Sequence, residues 1–175
     1  MKQILWIWFG ENSVPIERQN AIAETMLVYP DAEYVCITKQ KSFLDPKIKC
    51  IDPQVITDQM VTYFELKETP EVWKEYLIFS DWVRYFYIAN NPDTLYLDTD
   101  CRALKTFDFS KVEKVLNPKF DIFLLYSPAN GIGKEILPIL KEQSKKCISL
   151  TVFLARTIKP LWAGEMPEGY FKHKG

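Results

Sequence analysis

A chain of 175 residues, with 47% hydrophobic and 26% charged side chains, has the length and balance of one folded domain, 1–175, that buries a core without staples. Lys and Arg number 22 against 23 Asp and Glu, for a net charge of −1, so a strong nonspecific grip on nucleic acid or on an acidic membrane is excluded. The 4 cysteines form no Cys-x-x-Cys pair and the 1 histidine adds little, which argues against zinc and for a reducing compartment.

Ile4–Phe9 is a continuous apolar run, as in a strand buried on both faces. It is too short for a secretory leader, and no stretch approaches the roughly 20 apolar residues of a membrane span. The expectation is a cytoplasmic protein, with peripheral membrane contact left open. Pro15 suits a first helical turn, and the segment from Ile16 to Tyr29 carries Ile16, Ala23, Met26 and Leu27 at helical spacing. Tyr34–Thr38 and Ile48–Ile51 read as the second and third strands. Glu71–Asn90 lacks proline and glycine and reads as a helix. Asn91-Pro92-Asp93 is a turn signal, and Thr94–Leu97 the next strand. Phe120–Tyr126 reads as a strand. Lys134–Lys146 reads as a helix with Ile136, Ile139 and Leu140 on one face, started late or kinked by Pro138. Ile148–Ile158 fits strand or helix equally, and the tail from Pro160 reads as irregular. Strand and helix alternate at the start, which predicts an α/β fold with a mainly parallel central sheet flanked by helices.

Three features carry chemistry. Asp98-Thr99-Asp100 directly follows an apolar strand. On an extended backbone the two carboxylates face one side, at the sheet end where open α/β folds bind ligands. Paired carboxylates gain from a cation, and hard oxygen ligands suit Mg²⁺ or Mn²⁺ with substrate phosphates completing the shell. Aspartates also cap turns, so the motif alone is weak. In Ser80-Asp81-Trp82-Val83-Arg84-Tyr85, Asp81 and Arg84 share a helix face. Their apolar neighbours leave little polar surface, which favours a partly buried pair facing a polar ligand over a surface ion pair. Trp8, at the end of the first strand, either stacks on a nucleobase or belongs to the core with Trp6.

Together these segments resemble the glycosyltransferase sugar-binding region that contains the Asp-x-Asp motif. That group includes outer-chain mannosyltransferases of yeast, bacterial capsular polysaccharide enzymes and the glucosyltransferase domains of large clostridial toxins. The resemblance rests on Ile7-Trp8-Phe9-Gly10, on Ser80 through Tyr85 and on Tyr96-Leu97-Asp98-Thr99-Asp100, in that order. Where the family has Gly-Gly before the last motif, this chain has Asn91-Pro92-Asp93-Thr94.

The resemblance implies a GT-A-like domain and transfer of a sugar from a nucleotide-sugar donor, UDP-linked by preference, with retention. The acceptor would be a glycan, a lipid-linked sugar or a protein. It implies that Trp8 stacks on the base, that Ser80, Asp81 and Arg84 contact ribose, base edge or sugar, and that Tyr96 packs beside the nucleotide. Asp98 and Asp100, with Arg84, would be catalytic. Asp98, Asp100 and the late His173 would hold Mn²⁺ or Mg²⁺, and Asn130 would line the donor site. The acceptor region, about 125–175, is short for the family, which invites a partner, an oligomer or a membrane. The alternatives are a noncatalytic nucleotide-sugar-binding module and a structural or interaction domain. A phosphatase of the haloacid dehalogenase type fits poorly, since Arg102 stands where that class has Thr or Val and its motif lies on the first strand.

Overall fold

The computed structural model describes residues 1–40, 45–116, 124–146 and 169–173. Its strands are β1 (Gln3–Trp8), β2 (Glu33–Thr38), β3 (Ile48–Ile51), β4 (Thr94–Leu97), β5 (Cys101–Ala103), β6 (Leu124–Ser127) and β7 (Phe171–His173). Its α-helices are α1 (Ile16–Val28), α2 (Pro53–Phe64), α3 (Tyr76–Asn90) and α4 (Ile136–Ser144).

Among the described residues the main sheet runs β3-β2-β1-β4-β6, and β5 pairs with β7 in a separate two-stranded ladder. The pairings β2–β3, β1–β2 and β1–β4 are parallel, and β4–β6 is antiparallel. The sheet is thus mainly parallel, with one reversed strand at its edge.

Side-chain alternation divides the core into two layers. Ile4 and Trp6 of β1, Tyr34 and Cys36 of β2, and Leu95 and Leu97 of β4 pack with Ile22 of α1. Leu5, Ile7, Val35, Ile37 and Tyr96 face the other way, onto Met60 and Phe64 of α2, Trp82 and Phe86 of α3 and Leu140 of α4. Each fully buried large apolar side chain contributes about 1.5–3 kcal/mol.

Helix α2 starts where Asp52 accepts from the Gln54 N–H at 2.8 Å, with Pro53 in the first turn, and stops at Glu65 in the left-handed region (φ 57°). This helix was not among the expected elements. The buried face of α1 differs from the expected one: Ala21, Ile22 and Thr25 are buried, while Ile16 and Leu27 are 63% and 81% exposed. The Thr25 hydroxyl explains the difference, because it accepts the Ala103 N–H at 3.0 Å and fastens β5 to the helix. The expected helix Glu71–Asn90 divides into a 3₁₀ turn, Glu71–Lys74, and α3. The tail read as irregular supplies β7. The undecided segment Ile148–Ile158 lies outside the described residues.

Candidate functional site

The direction of chain travel reverses at β1, whose crossover leads to β2 on one side while β4 lies on the other. The carboxyl ends of β1 and β4 flank this switch point, where open α/β sheets bind ligands. Trp8 stands at the first and Asp98 just past the second.

The carboxylates meet differently from the way strand alternation suggests. The Asp98 carbonyl accepts the Cys101 N–H at 2.9 Å, so residues 98–101 form a tight turn and Thr99 is buried within it. The turn keeps both carboxylates at one site, with a ligand atom of each within 4.8 Å of the other, and each is held by different partners. Asp98 is gripped from the α3 side, by the Tyr96 hydroxyl and by Arg84 Nη1 at 3.8 Å. Asp100 is gripped from the α1 side, by Arg18 Nη2 at 3.3 Å and by His173 Nε2 at 3.3 Å.

Arg84 organises the α3 side. Its Nη2 lies 2.9 Å from Asp81 and donates to the Ser80 hydroxyl at 3.1 Å, and its Nε donates to the Ser80 carbonyl at 3.3 Å. Its guanidinium lies 4.8 Å from the centre of the Tyr96 ring. Asp81 and Arg84 are both buried, at 7% and 8% exposure, so they form the internal pair that the apolar neighbours suggested. Burial is the strongest influence on the Asp98 carboxyl and raises it above the ordinary aspartate value. Arg84 and the Tyr96 hydroxyl pull it back, and Asp100 adds to the rise. Burial also raises the Tyr96 phenol, which keeps it a hydrogen-bond donor to Asp98.

His173 reaches the motif because β7 pairs with β5 in register, His173 opposite Cys101. Asp98, Asp100 and His173 each offer one ligand atom, and these atoms lie within 4.8 Å of one another. Asp100 Oδ1 is shut off from solvent and accepts no hydrogen bond among the described residues, although His173 stands close by. A buried carboxylate oxygen left in this way is costly unless something positive meets it, so the O, O, N donor set fits a divalent cation.

Arg18, on α1, went unnoticed in the sequence. It donates through Nη1 to the Thr99 hydroxyl at 2.7 Å, pairs with Asp100, and lies 5.2 Å from the centre of the Trp8 ring. Its partners stand far along the chain, so no local pattern marks it. Trp8 is half-buried and anchored by its indole N–H, which donates to the Asn12 carbonyl at 2.9 Å. It borders a cleft of about 400 Å³ whose aromatic wall also includes Phe9, Trp73, Tyr76 and Phe79. Phe9 and Phe79 stack at 4.8 Å.

Asn130 stands apart from this group. Ser127 at the end of β6 pairs with Thr94 at the start of β4, so the turn that follows β6 lies at the sheet end opposite Asp98. There the Asn130 amide donates to the Glu113 carbonyl at 2.8 Å, which ties one loop to another.

No family sequence model matches the chain, and no curated protein matches it in sequence. Among solved structures it is similar to the PaToxG glycosyltransferase, with a TM-score of 0.61 and 18% identity over 88% of this chain and 65% of that one. It is also similar to mouse xyloside xylosyltransferase 1 in its apo form, with a TM-score of 0.58 and 10% identity over 94% of this chain and 84% of that one. This chain therefore spans just under two thirds of the PaToxG structure. At these identities the likeness is one of fold: a GT-A-like α/β architecture shared with glycosyltransferases.

Proposed function

We propose that the protein is a metal-dependent glycosyltransferase that moves a sugar from a nucleotide-sugar, UDP-linked by preference, to an acceptor hydroxyl with retention at the anomeric carbon. The observation that carries this reading is the convergence of Asp98, Asp100 and His173 within 4.8 Å at the switch point, with one Asp100 oxygen buried and without a hydrogen bond. The shared fold with glycosyltransferases supports it.

These three residues would hold the cation, Mn²⁺ or Mg²⁺, with the imidazole favouring Mn²⁺. When bound, it would neutralise charge on the departing diphosphate. The other roles belong to the chain itself. Trp8 and the aromatic cleft beside it offer flat apolar surface to a nucleobase. Ser80 and Asp81 fix Arg84, and Arg84 keeps a cation against the partly buried Asp98.

Asp81 and Asp98 are both engaged by Arg84, which disfavours either as a nucleophile. The bond from the anomeric carbon to the phosphate oxygen then breaks as the acceptor oxygen bonds to the same face. The acceptor proton passes to the departing phosphate. The transition state has oxocarbenium character.

The test is UDP release from UDP-sugars, measured with Mn²⁺ and with chelator. Metal-dependent donor hydrolysis supports the reading. A sugar trapped covalently on Asp81 or Asp98 would refute the one-face route. Donor binding with neither hydrolysis nor transfer would make the protein a binding module.

A further inference from the structure

A second cleft, of about 620 Å³, has Asp100 in its lining and opens between α1 and the β5–β7 ladder. Its lining differs from that of the aromatic cleft. Glu17, Asn20 and Glu24 face it from α1, Arg102 and Lys172 from the ladder, and Arg18 stands at the boundary. The Arg18–Trp8 contact is the partition between the two clefts, since Trp8 lines one and Arg18 the other.

We propose that this second cleft is the acceptor site, and that it takes a neutral polyhydroxylated acceptor, a sugar presenting neighbouring hydroxyls. The proposal rests on the glycosyl-transfer reading above.

Position and chemistry support it. The cleft shares Asp100 with the cation site, so an acceptor seated there meets the donor at the carboxylates. Among the described residues the lining contains no aromatic ring and Ala21 is its one apolar side chain, so lipid tails and apolar peptide segments gain little. Among the described residues charge is balanced: Arg18, Arg102 and Lys172 stand against Glu17, Glu24 and Asp100. Glu17 and Glu24 repel an anionic acceptor, and Arg102 and Lys172 repel a cationic one. Arg102 and Lys172 are direct cross-strand neighbours, an unfavourable like-charge pairing that Glu24 offsets by meeting Arg102 at 2.9 Å. What remains is a set of donors and acceptors, planar apart from the Lys172 ammonium, which suits the alternating donor and acceptor demands of vicinal hydroxyls. The Thr25–Ala103 hydrogen bond holds the two walls at fixed spacing beneath the cleft.

The experiment measures UDP release from UDP-glucose, UDP-galactose, UDP-xylose and UDP-N-acetylglucosamine with Mn²⁺. Each donor is tested with water alone and with glucose, galactose, xylose, mannose, cellobiose or lactose added. Wild type is compared with Asn20→Trp, which fills the cleft from the exposed side of α1, and with Glu17→Ala, which removes one acceptor group without filling it. Circular dichroism melts confirm that both variants fold. The expected result is that at least one sugar raises UDP release above hydrolysis. Asn20→Trp loses at least about tenfold of that stimulation while hydrolysis stays within about twofold. Glu17→Ala raises the KM for the sugar. Donor hydrolysis that no sugar stimulates would overturn the proposal, as would stimulation that survives Asn20→Trp unchanged. Stimulation by a serine-containing peptide alone would give the cleft to a protein acceptor and also overturn it. Neither nucleotide binding nor hydrolysis in wild type would instead overturn the donor reading, and the cleft assignment with it.

Discussion

Replacing Arg84 with methionine keeps much of its volume and removes its charge. In the wild type the guanidinium lies 2.9 Å from Asp81 and 3.8 Å from Asp98, with side-chain exposures of 10% for Arg84, 11% for Asp81 and 31% for Asp98. Solvent screens the Arg84–Asp81 pair little, so the exposed-pair value of under about 1 kcal/mol does not apply to it. Removing one member of a buried charge group costs about 3–5 kcal/mol. For a domain of this size that lowers Tm by roughly 8–15 °C. The deficit also has a pH signature. Burial raises the Asp98 carboxyl in the folded state, and Arg84 opposes the rise. A raised carboxyl means that the folded state holds a proton the unfolded state has lost, so stability falls as pH climbs through the window between the two values. Deleting Arg84 moves the folded value higher and widens that window upward. The deficit is therefore largest at neutral pH and shrinks on acidification toward the unfolded carboxyl value of about 3.9. Urea denaturation of wild type and Arg84→Met, followed by circular dichroism at about pH 7.5 and about pH 5, reads both effects. A loss below about 1 kcal/mol, or one equal at the two pH values, would refute the reasoning.

Gly10→Ala places a Cβ 2.5 Å from the Trp8 ring, which is held by its bond to Asn12, so the indole must move. UDP affinity should fall about tenfold with little change in Tm, as calorimetry beside a thermal melt would show. Asp52→Ala removes the cap on the Gln54 N–H and should cost about 1 kcal/mol, read as a Tm lower by roughly 2–4 °C. His173→Ala removes one of the three converging ligand atoms and should weaken Mn²⁺ binding at least about tenfold, measured by electron paramagnetic resonance. Arg18→Ala removes a cation that competes for Asp100. It should strengthen Mn²⁺ binding in the absence of nucleotide, and weaker Mn²⁺ binding in that titration would contradict the competing role.

Local order was legible where local order decides. The apolar run of β1 and the short strand before Asp98 stand out, because buried parallel strands read as continuous hydrophobic stretches. The Asp81–Arg84 pair was legible from its apolar surroundings. Helix α2 was signalled by Asp52-Pro53 and by Ile56, Met60 and Phe64 at four-residue spacing, a pattern that was overlooked rather than hidden. Strands β5 and β7 have three residues each and exist through one another, so pairing distant in sequence, not composition, makes them. Arg18 belongs to the same class: an exposed-looking basic residue on α1 gains its role from a turn that arrives much later in the chain. The opposed grip on Asp98 and Asp100 was also out of reach, because it depends on the turn at 98–101 rather than on strand alternation. Asn130 shows the reverse error, since a sequence match placed it at the donor site and the antiparallel register of β6 carries it to the far end of the sheet.

The central claim is a cation-dependent nucleotide site at Asp98, Asp100 and His173, and calorimetry of UDP and GDP binding tests it most directly. Wild type and Asp100→Asn are titrated with Mn²⁺ present and again with chelator, and melting curves confirm that both are folded. Binding that requires Mn²⁺ in the wild type and disappears in Asp100→Asn is the expected result. Binding of neither nucleotide to the folded wild type, or binding indifferent to both Mn²⁺ and Asp100, would contradict the account.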